Sequence, residues 1–319
     1  MIAASTDFIV LTGFLGSGKT TLLRDYLALP EAANTAVIVN EAGEIGLDGA
    51  IVAEGGTLPV ALLSNGCVCC SLGGDLAQTV LRLLDERERL GLPPPARIVL
   101  ETSGLAKPGP ILRSLAALAP LRLRVGVVAT FDCVRGTELE SFDEAAAQWV
   151  GAQTLVLTKR DVASDTALQV ARSAIAGMNP TADIVDSDDR HGVLLAAFTL
   201  RTPAQIGRLW AEPTDMRHPR ICVVLARLHE MVAWDDLAAW LDNLAGLCGE
   251  RLLRVKGLVR VTGALRPLLV QSVGTFFAAP RPLAVDGEER SFLVLILRDV
   301  DMQEIETLPP ALPLTCTAR

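Results

Sequence analysis

Residues 13–20 read GFLGSGKT and match the phosphate-loop pattern G-x-x-x-x-G-K-[ST]. A predicted strand, Phe8–Leu11, precedes this loop, and a predicted helix, Thr20–Leu29, follows it. Glycines let backbone N–H groups converge on phosphate oxygens, and the amino end of a helix adds a favourable dipole. Lys19 is expected to reach the β- and γ-phosphates, and the Thr20 hydroxyl is expected to bind Mg²⁺. The nucleotide contacts predicted from this motif are Gly13, Gly16, Ser17, Gly18, Lys19, Thr20 and Thr21.

The first two thirds of the chain alternate short apolar runs with helical patterns. The runs predict strands at Phe8–Leu11, Ala36–Val39, Ile98–Leu100, Val125–Thr130 and Thr154–Leu157. Strands that alternate with helices indicate the α/β class, with a doubly wound and mostly parallel sheet. In such a sheet, ligands bind at the carboxyl ends of the strands. We therefore expect the functional residues to follow directly after the strands.

A change of pattern divides the chain. The segment Trp210–Pro219 contains two prolines and mixed charges. Beyond it, the sequence predicts an amphipathic helix at Trp234–Leu247 and strands at Ile221–Ala226, Leu252–Val261, Leu268–Val273 and Phe292–Leu297. We therefore expect a P-loop domain over residues 1–210 and a second, smaller α+β domain over residues 219–319.

The composition excludes several classes of protein. The 319 residues are 50% hydrophobic and carry a formal net charge of −8, which favours a globular fold and argues against nucleic acid as a partner. No apolar run approaches the roughly 18 residues that a membrane span needs, and the N-terminus lacks the basic segment of a signal peptide. The seven cysteines form a poor disulfide framework. We therefore expect a cytoplasmic protein without membrane or nucleic-acid partners.

Residues 158–161 read TKRD and resemble the guanine-reading [NT]-K-x-D motif. A carboxylate at Asp161 accepts two hydrogen bonds from guanine, whereas adenine presents a lone pair at N1. A mismatch between buried polar groups costs about 1–3 kcal/mol, so Asp161 favours guanine. Thr158 and Lys159 complete the predicted contacts, with the lysine stem over the base. The alternative is that Asp161 only caps the helix that follows from Ser164.

The most distinctive segment is NGCVCC at residues 65–70, which contains Cys67, Cys69 and Cys70. Three thiols within four residues favour a soft or borderline metal such as Zn²⁺, Co²⁺ or Cu⁺. Fewer than four cysteine ligands leave room for a carboxylate, a water or a partner ligand, and an open site suits metal transfer. A redox pair or plain buried cysteines are the alternatives.

Acidic residues follow two of the predicted strands. Glu41 and Glu44 come after the second strand, where a P-loop GTPase has its first switch loop, and could contact Mg²⁺, the attacking water or a thiolate-bound metal. Glu101 follows the third strand, where ordinary P-loop proteins place an aspartate that holds Mg²⁺, and Gly104 lies where a glycine senses the γ-phosphate. The alternatives are a solvated acidic turn after the second strand and a glutamate without a role after the third.

Together these segments resemble the CobW-type metallochaperone GTPases. The matching pieces are GFLGSGKT, NEAGEIGLD, NGCVCCSLGGDL, ETSGLAKP, TKRD, LLRVKGLVRV and VQSVG. The resemblance implies GTP binding, slow GTP hydrolysis to GDP and phosphate, and binding of Zn²⁺ or Co²⁺ at the C-x-C-C motif. It also implies that the nucleotide controls release of the metal to a client metalloprotein.

The resemblance also assigns roles to individual residues. The expected catalytic residues are Lys19, Glu101 and Glu41. The expected Mg²⁺ ligands are Thr20 and Glu101. The expected ligands of the transition metal are Cys67, Cys69 and Cys70, with Glu41 or Glu44 as an additional carboxylate.

Other functions stay open at this point. The chain could sense or buffer the metal without delivering it, handle cobalt for corrinoid synthesis, or activate a nitrile-hydratase-type enzyme. A small-molecule kinase that uses ATP is a weaker alternative, because Asp161 and the cysteine cluster argue against it. The second domain is the expected surface for a client, because the first domain is occupied with nucleotide.

Overall fold

The computed structural model describes residues 6–39, 60–62, 75–200, 218–283 and 291–318. The chain divides into two compact units by its internal contacts. The first unit comprises Met1–Ala171 and Ala182–Thr202, and the second comprises Arg172–Thr181 and Pro203–Arg319. Each unit has its own sheet and its own hydrophobic core, which is the organisation of two domains.

The sheet of the first unit is parallel across its described strands. These are β1 Asp7–Gly13, β2 Thr35–Val39, β3 Val60–Leu62, β4 Arg97–Glu101, β5 Arg124–Asp132, β6 Thr154–Thr158 and β7 Asp183–Val185. Their order across the sheet is β3-β2-β4-β1-β5-β6-β7, and every pairing between them is parallel. Strands β1 and β2 are buried at every residue, as expected of strands that helices cover on both faces.

Helices lie on both faces of this sheet. The helices along this part of the chain are α1 Lys19–Leu27, α2 Asp75–Arg89, α3 Pro108–Ser114, α4 Asp143–Gly151, α5 Asp165–Met178 and α6 Arg190–Ala197, and α5 continues into the second unit from Arg172. On one face, Leu22 of α1 and Phe198 at the end of α6 share a core with Ile9. On the other face, Trp149 of α4 packs against Phe131 of β5, with ring centroids 4.7 Å apart. The predicted doubly wound α/β class is therefore confirmed.

The carboxyl ends of four neighbouring strands meet at one edge of the sheet. Strands β4, β1, β5 and β6 are adjacent in this order, and they end at Glu101, Gly13, Asp132 and Thr158. Because β1 lies between β4 and β5, the loop after β1 has a neighbouring loop on either side. This is the edge at which doubly wound sheets bind ligands.

The second unit is built on an antiparallel sheet. Its strands are β8 Ile221–Leu228, β9 Leu252–Val259, β10 Leu268–Val273, β11 Phe276–Phe277, β12 Arg281–Pro282, β13 Ser291–Arg298 and β14 Leu314–Ala318. The order is β11-β10-β9-β13-β8-β14, and β12 pairs with β10. The unit also contains helices α7 Trp234–Cys248 and α8 Met302–Glu306. Trp240 and Leu244 of α7 share a core with Val255 and Leu295, which confirms the predicted smaller α+β fold.

The other face of this sheet carries two buried charged residues. Alternation along β9 places Arg254 and Lys256 opposite Val255, and their exposed fractions are only 1% and 5%. The Lys256 Nζ donates a hydrogen bond of 2.7 Å to the Thr181 carbonyl oxygen. The segment at 172–181 therefore lies against this face as part of the second unit.

The predicted helices and strands agree with the observed elements to within two residues at either end. The strand predicted at Leu268–Val273 has these bounds in the structure, and the helix predicted from Trp234 begins there. Five strands, all of them short or partly polar, were not predicted, namely β3, β7, β11, β12 and β14. Among the described residues, no helix has the length and apolar character that crossing a membrane requires.

Candidate functional site

The loop between β1 and α1 has a backbone that glycine adopts readily. Gly13, Gly16 and Gly18 have φ angles of 145°, 71° and 89°, in the region that side chains disfavour. A Cβ on Gly13 would also lie 2.0 Å from the Thr130 Oγ1. Gly18 is the N-cap of α1, so the loop leads directly into a helix amino end. The unpaired N–H groups and the dipole of that end attract a phosphate.

The Lys19 ammonium group lies inside this loop. Its Nζ donates hydrogen bonds to the carbonyl oxygens of Gly13 at 2.8 Å and Phe14 at 3.3 Å. Lys19 is 9% exposed, so its position is set by the loop rather than by solvent. These carbonyl groups orient the ammonium within the loop, where it can donate a charge-assisted hydrogen bond to a phosphate oxygen.

Strands β5 and β6 hold the phosphate loop from the side. The Ser17 Oγ and the Thr130 Oγ1 share a hydrogen bond of 2.6 Å. The Thr158 Oγ1 donates to the carbonyl oxygens of Ser17 and Phe131 over 2.8 and 3.1 Å. Because these groups are buried, a lost bond would leave an unpaired polar atom at a cost of about 1–3 kcal/mol. The loop is therefore held in place by its own fold.

Thr20 and Glu101 form a pair of oxygen ligands beside the phosphate loop. The Thr20 Oγ1 donates a hydrogen bond of 2.6 Å to the Glu101 Oε1. Glu101 ends β4 and is 5% exposed. A hydroxyl and a carboxylate are hard oxygen donors of the kind that Mg²⁺ prefers, and a buried carboxylate favours a nearby cation. The residues present therefore fit a magnesium ion.

The loop after Glu101 packs onto the phosphate loop. A Cβ on Gly104 would lie 2.8 Å from the Leu15 backbone nitrogen and 2.9 Å from its Cα, so any side chain there would displace the phosphate loop. Gln148 of α4 holds this loop from the other side. Its Nε2 donates to the carbonyl oxygens of Gly104 and Ala106 over 2.9 and 3.0 Å.

The loop after β6 forms one wall of an open cavity with a volume of about 550 Å³. The lining residues include Gly18, Thr21, Lys159, Asp161 and Ser187. Lys159 has a φ of 57°, and its Nζ donates a hydrogen bond of 2.6 Å to the Asp132 Oδ2. The cavity therefore joins the phosphate loop to the residues that are predicted to read the base.

Asp161 does not cap the helix that follows it. The backbone nitrogen of Ala167 donates a hydrogen bond of 3.2 Å to the Ser164 Oγ, so Ser164 caps α5. The alternative interpretation of Asp161 as a helix cap is therefore wrong. Asp161 is exposed and lines the cavity.

Five predicted site residues lie outside the described residues, namely Glu41, Glu44, Cys67, Cys69 and Cys70. Within the described ranges, no group of three or more His, Cys, Asp or Glu residues could hold a metal ion. Burial raises the pKa of the Cys248 thiol, and it raises the pKa of Cys316 to about 11. Raised pKa values disfavour the thiolate that binds metal. The metal site at residues 67–70 stays a prediction.

Four residues of the site belong to no sequence motif, namely Thr130, Asp132, Gln148 and Trp149. The Trp149 Nε1 donates a hydrogen bond of 3.2 Å to the Thr130 carbonyl oxygen. Thr130 and Asp132 are polar residues at the carboxyl end of an apolar strand, which is a signal that could have identified them. Gln148 and Trp149 lie within a helix, and nothing in the helical pattern marks them.

Two family models cover most of the chain. The CobW/HypB/UreG nucleotide-binding domain matches residues 7–186, which contain the phosphate loop, Glu101 and Asp161. The cobalamin synthesis protein CobW C-terminal domain matches residues 221–308.

Several known proteins are similar to the chain along nearly its whole length. The zinc chaperone YjiA of Escherichia coli strain K12 is 30% identical over 311 residues, which cover 93% of this chain and 95% of YjiA. The zinc chaperone CobW of a Sinorhizobium species is 28% identical over 341 residues, which cover 92% of this chain and 93% of that protein. The crystal structure of Zn(II)-bound YjiA GTPase from E. coli has a TM-score of 0.67 at 26% identity, covering 94% of this chain and 96% of that chain.

Proposed function

This chain belongs to the CobW/HypB/UreG family of P-loop GTPases, and from that premise we propose that it is a GTP-hydrolysing metallochaperone. Its proposed cargo is Zn²⁺, which it delivers to a client metalloprotein under the control of the bound nucleotide. Co²⁺ is the alternative cargo. The names of the relatives, which describe zinc chaperones, favour Zn²⁺.

The observation that carries this proposal is the convergence of three kinds of group at one edge of the sheet. Lys19 supplies a positive charge inside the phosphate loop. Thr20 and Glu101 supply oxygen ligands beside it. Lys159 and Asp161 line the cavity that continues from the loop. Phosphates, a magnesium ion and a guanine base are the ligands that these groups fit.

These residues divide the tasks of GTP binding and hydrolysis. Lys19 and the amino end of α1 bind the phosphates and stabilise the negative charge that develops as the γ-phosphate is transferred to water. Thr20 and Glu101 would hold Mg²⁺, which supplies further charge neutralisation when it is bound. Asp161 accepts hydrogen bonds from the base. Within the phosphate loop, residues 13–20, Lys19 is the one cationic side chain, and a GTPase that relies on lysine without an arginine finger turns over slowly.

The metal is proposed to bind at Cys67, Cys69 and Cys70, with Glu41 or Glu44 as a further ligand. Glu41 is also the proposed group that orients the attacking water. In this proposal, GTP orders the loops that carry these residues and so assembles the metal site, and hydrolysis opens it. The client is proposed to bind at the second domain.

A comparison of nucleotides tests the assignment of GTP. The wild-type chain should bind GTP at least about tenfold more tightly than ATP, because adenine leaves the Asp161 carboxylate without its two donors. Asp161→Asn should lose this preference and gain affinity for xanthosine triphosphate, whose C2 carbonyl accepts a bond from the amide. Asp165→Asn, which changes an exposed aspartate at the start of α5, is the matched control. Equal affinities for ATP and GTP in the wild type would contradict the assignment.

Delivery requires a separate experiment. Metal-free forms of zinc enzymes are incubated with the zinc-loaded chain in the presence of GTP or GDP, and their activity is measured. A client should be activated more by the chain with GTP than by the chain with GDP or by buffered Zn²⁺ alone. Activation that never exceeds buffered Zn²⁺ would favour the alternative of a metal sensor or buffer.

A further inference from the structure

Helix α4 contacts three parts of the nucleotide site. Phe142, which precedes the helix, packs against Phe14 of the phosphate loop, with ring centroids 5.1 Å apart. The Trp149 indole donates to the carbonyl oxygen of Thr130, the residue that shares a hydrogen bond with the phosphate loop. Gln148, the neighbour of Trp149, bonds to the loop after β4. The helix therefore fixes that loop relative to the phosphate loop.

The Gln148 side chain uses both of its donors on this loop. The residue is fully buried, and its Nε2 bonds to the carbonyl oxygens of Gly104 and Ala106, on either side of Leu105. An amide has two N–H groups on this nitrogen, so neither is left over. Leu105 is 49% exposed, so burial of its side chain does not hold it in place.

The oxygen of the same amide makes no comparable contribution. The Gln148 Oε1 is buried and meets no hydrogen-bond donor in the part of the chain that the structure describes. An unpaired buried carbonyl lowers stability, so the amide oxygen is not what favours a glutamine at this position. The two donated bonds are what the amide adds.

Gly104 is the point at which the held loop meets the phosphate loop. It has no Cβ, and it lies so close to Leu15 that a Cβ would come within 2.8 Å of the Leu15 nitrogen. A glycine without support has wide conformational freedom, which a bond to its carbonyl oxygen restricts. GTP and GDP differ only in the γ-phosphate, which orders loops of this kind in GTPases.

We propose that Gln148 is a positioning residue for recognition of the γ-phosphate. By holding the carbonyl oxygens of Gly104 and Ala106, it keeps the loop after β4 in the conformation that GTP requires. Gln148 does not touch the nucleotide in this role, and GDP binding does not depend on it. The inference rests on the proposed function, because it assumes that guanine nucleotides bind at this edge of the sheet.

The test compares the affinities of the full-length chain for GDP and for a non-hydrolysable GTP analogue, measured by calorimetry with Mg²⁺. Gln148→Leu removes both donors and should weaken binding of the GTP analogue about tenfold relative to GDP. Gln153→Leu is the matched control, because the Gln153 side chain accepts a bond from the Val127 nitrogen near the opposite edge of the sheet. Its ratio of the two affinities should equal that of the wild type.

A second variant keeps the shape of the side chain. Gln148→Glu places a carboxylate oxygen opposite the two carbonyl oxygens and should weaken binding of the GTP analogue at least as much as leucine does. Equal losses for GDP and the GTP analogue, or no loss, would overturn the inference while leaving the proposed function intact. If neither variant folds by circular dichroism, Gln148 is a structural residue and the inference is wrong. Failure of the wild type to bind either nucleotide would instead refute the proposed function.

Discussion

The ion pair between Asp132 and Lys159 should contribute to the affinity for guanine nucleotides. Asp132 ends β5 and lies beside Thr158 of β6 in the sheet. Its Oδ2 accepts a bond of 2.6 Å from the Lys159 Nζ, and its Oδ1 accepts bonds from the backbone nitrogens of Val134 and Arg135. Asp132→Asn can keep the two backbone bonds, but it replaces the carboxylate oxygen opposite the ammonium group with an amide nitrogen. The variant therefore disturbs the lysine that is proposed to lie over the base.

The size of the effect follows from the exposure of the two partners. A hydrogen bond between charged groups contributes about 1.5–3 kcal/mol to the stability of the arrangement that it holds. Asp132 is buried, but the Lys159 side chain is 38% exposed, and solvent screening reduces the contribution to about 1 kcal/mol. If the nucleotide site loses this energy because Lys159 is no longer held over the base, the affinity for the nucleotide falls about fivefold. Because GTP and GDP carry the same base, the affinities for both should fall by the same factor.

Calorimetric titration with GDP and with a non-hydrolysable GTP analogue measures this effect. Asp7→Asn is the matched control, since it removes a buried carboxylate that pairs with Arg124 at the opposite edge of the same sheet. The control should leave both nucleotide affinities unchanged. Unchanged affinities in Asp132→Asn, or a loss confined to the GTP analogue, would refute the role assigned to the ion pair.

Three other changes have defined outcomes. Gly104→Ala should abolish binding of the GTP analogue, because its Cβ would lie 2.8 Å from the Leu15 nitrogen, and calorimetric binding at wild-type affinity would contradict this. Lys256→Met should lower the free energy of unfolding by about 1–3 kcal/mol, because the Thr181 carbonyl oxygen loses a buried donor, and urea denaturation measures the change. Burial raises the pKa of the Cys316 thiol in the folded protein from 9.0 to about 11. Because the unfolded chain loses this proton at a lower pH, the contribution of the neutral thiol to the free energy of unfolding should be complete below about pH 9 and be lost by about pH 11. Urea denaturation across this pH range should show that the difference in free energy of unfolding between the wild type and Cys316→Ala changes with pH. A difference that stays constant would contradict the raised pKa of Cys316.

The central strands could be predicted from the sequence because burial on both faces requires continuous apolar runs. All seven residues of β1 are buried, and its apolar run Phe8–Leu11 is uninterrupted in the sequence. The edge strand β7 has no such requirement, and its Ile184 is 39% exposed. In β14, Cys316 is the only buried residue, so the strand lacks a clear period. Prediction therefore succeeds at the centre of each sheet and fails at its edges.

The candidate site contains residues that lie together in the sequence and residues that only the fold brings together, and the sequence identifies the first kind alone. The phosphate loop is contiguous, so its chemistry fixes the spacing of its residues, and the pattern identifies them. The bond from Gln148 to Gly104 spans 44 residues, and the pair of Asp132 and Lys159 spans 27. Such contacts exist only in the folded sheet, so no spacing rule can reveal them. The association of residues 172–181 with the second unit is likewise marked by no change of composition.

Nucleotide control of the metal site can be measured as the zinc affinity of the chain in its two nucleotide states. Zn²⁺ is titrated in competition with a chromophoric chelator, in the presence of Mg²⁺ and either GDP or a non-hydrolysable GTP analogue. We predict an affinity at least about tenfold higher with the GTP analogue, which corresponds to a coupling free energy of about 1.4 kcal/mol. Cys69→Ala should weaken zinc binding and remove the difference, whereas Cys248→Ala, which changes a buried cysteine of α7, should preserve it. Equal zinc affinities with GDP and the GTP analogue in the wild type would contradict the proposed control of the metal by the nucleotide.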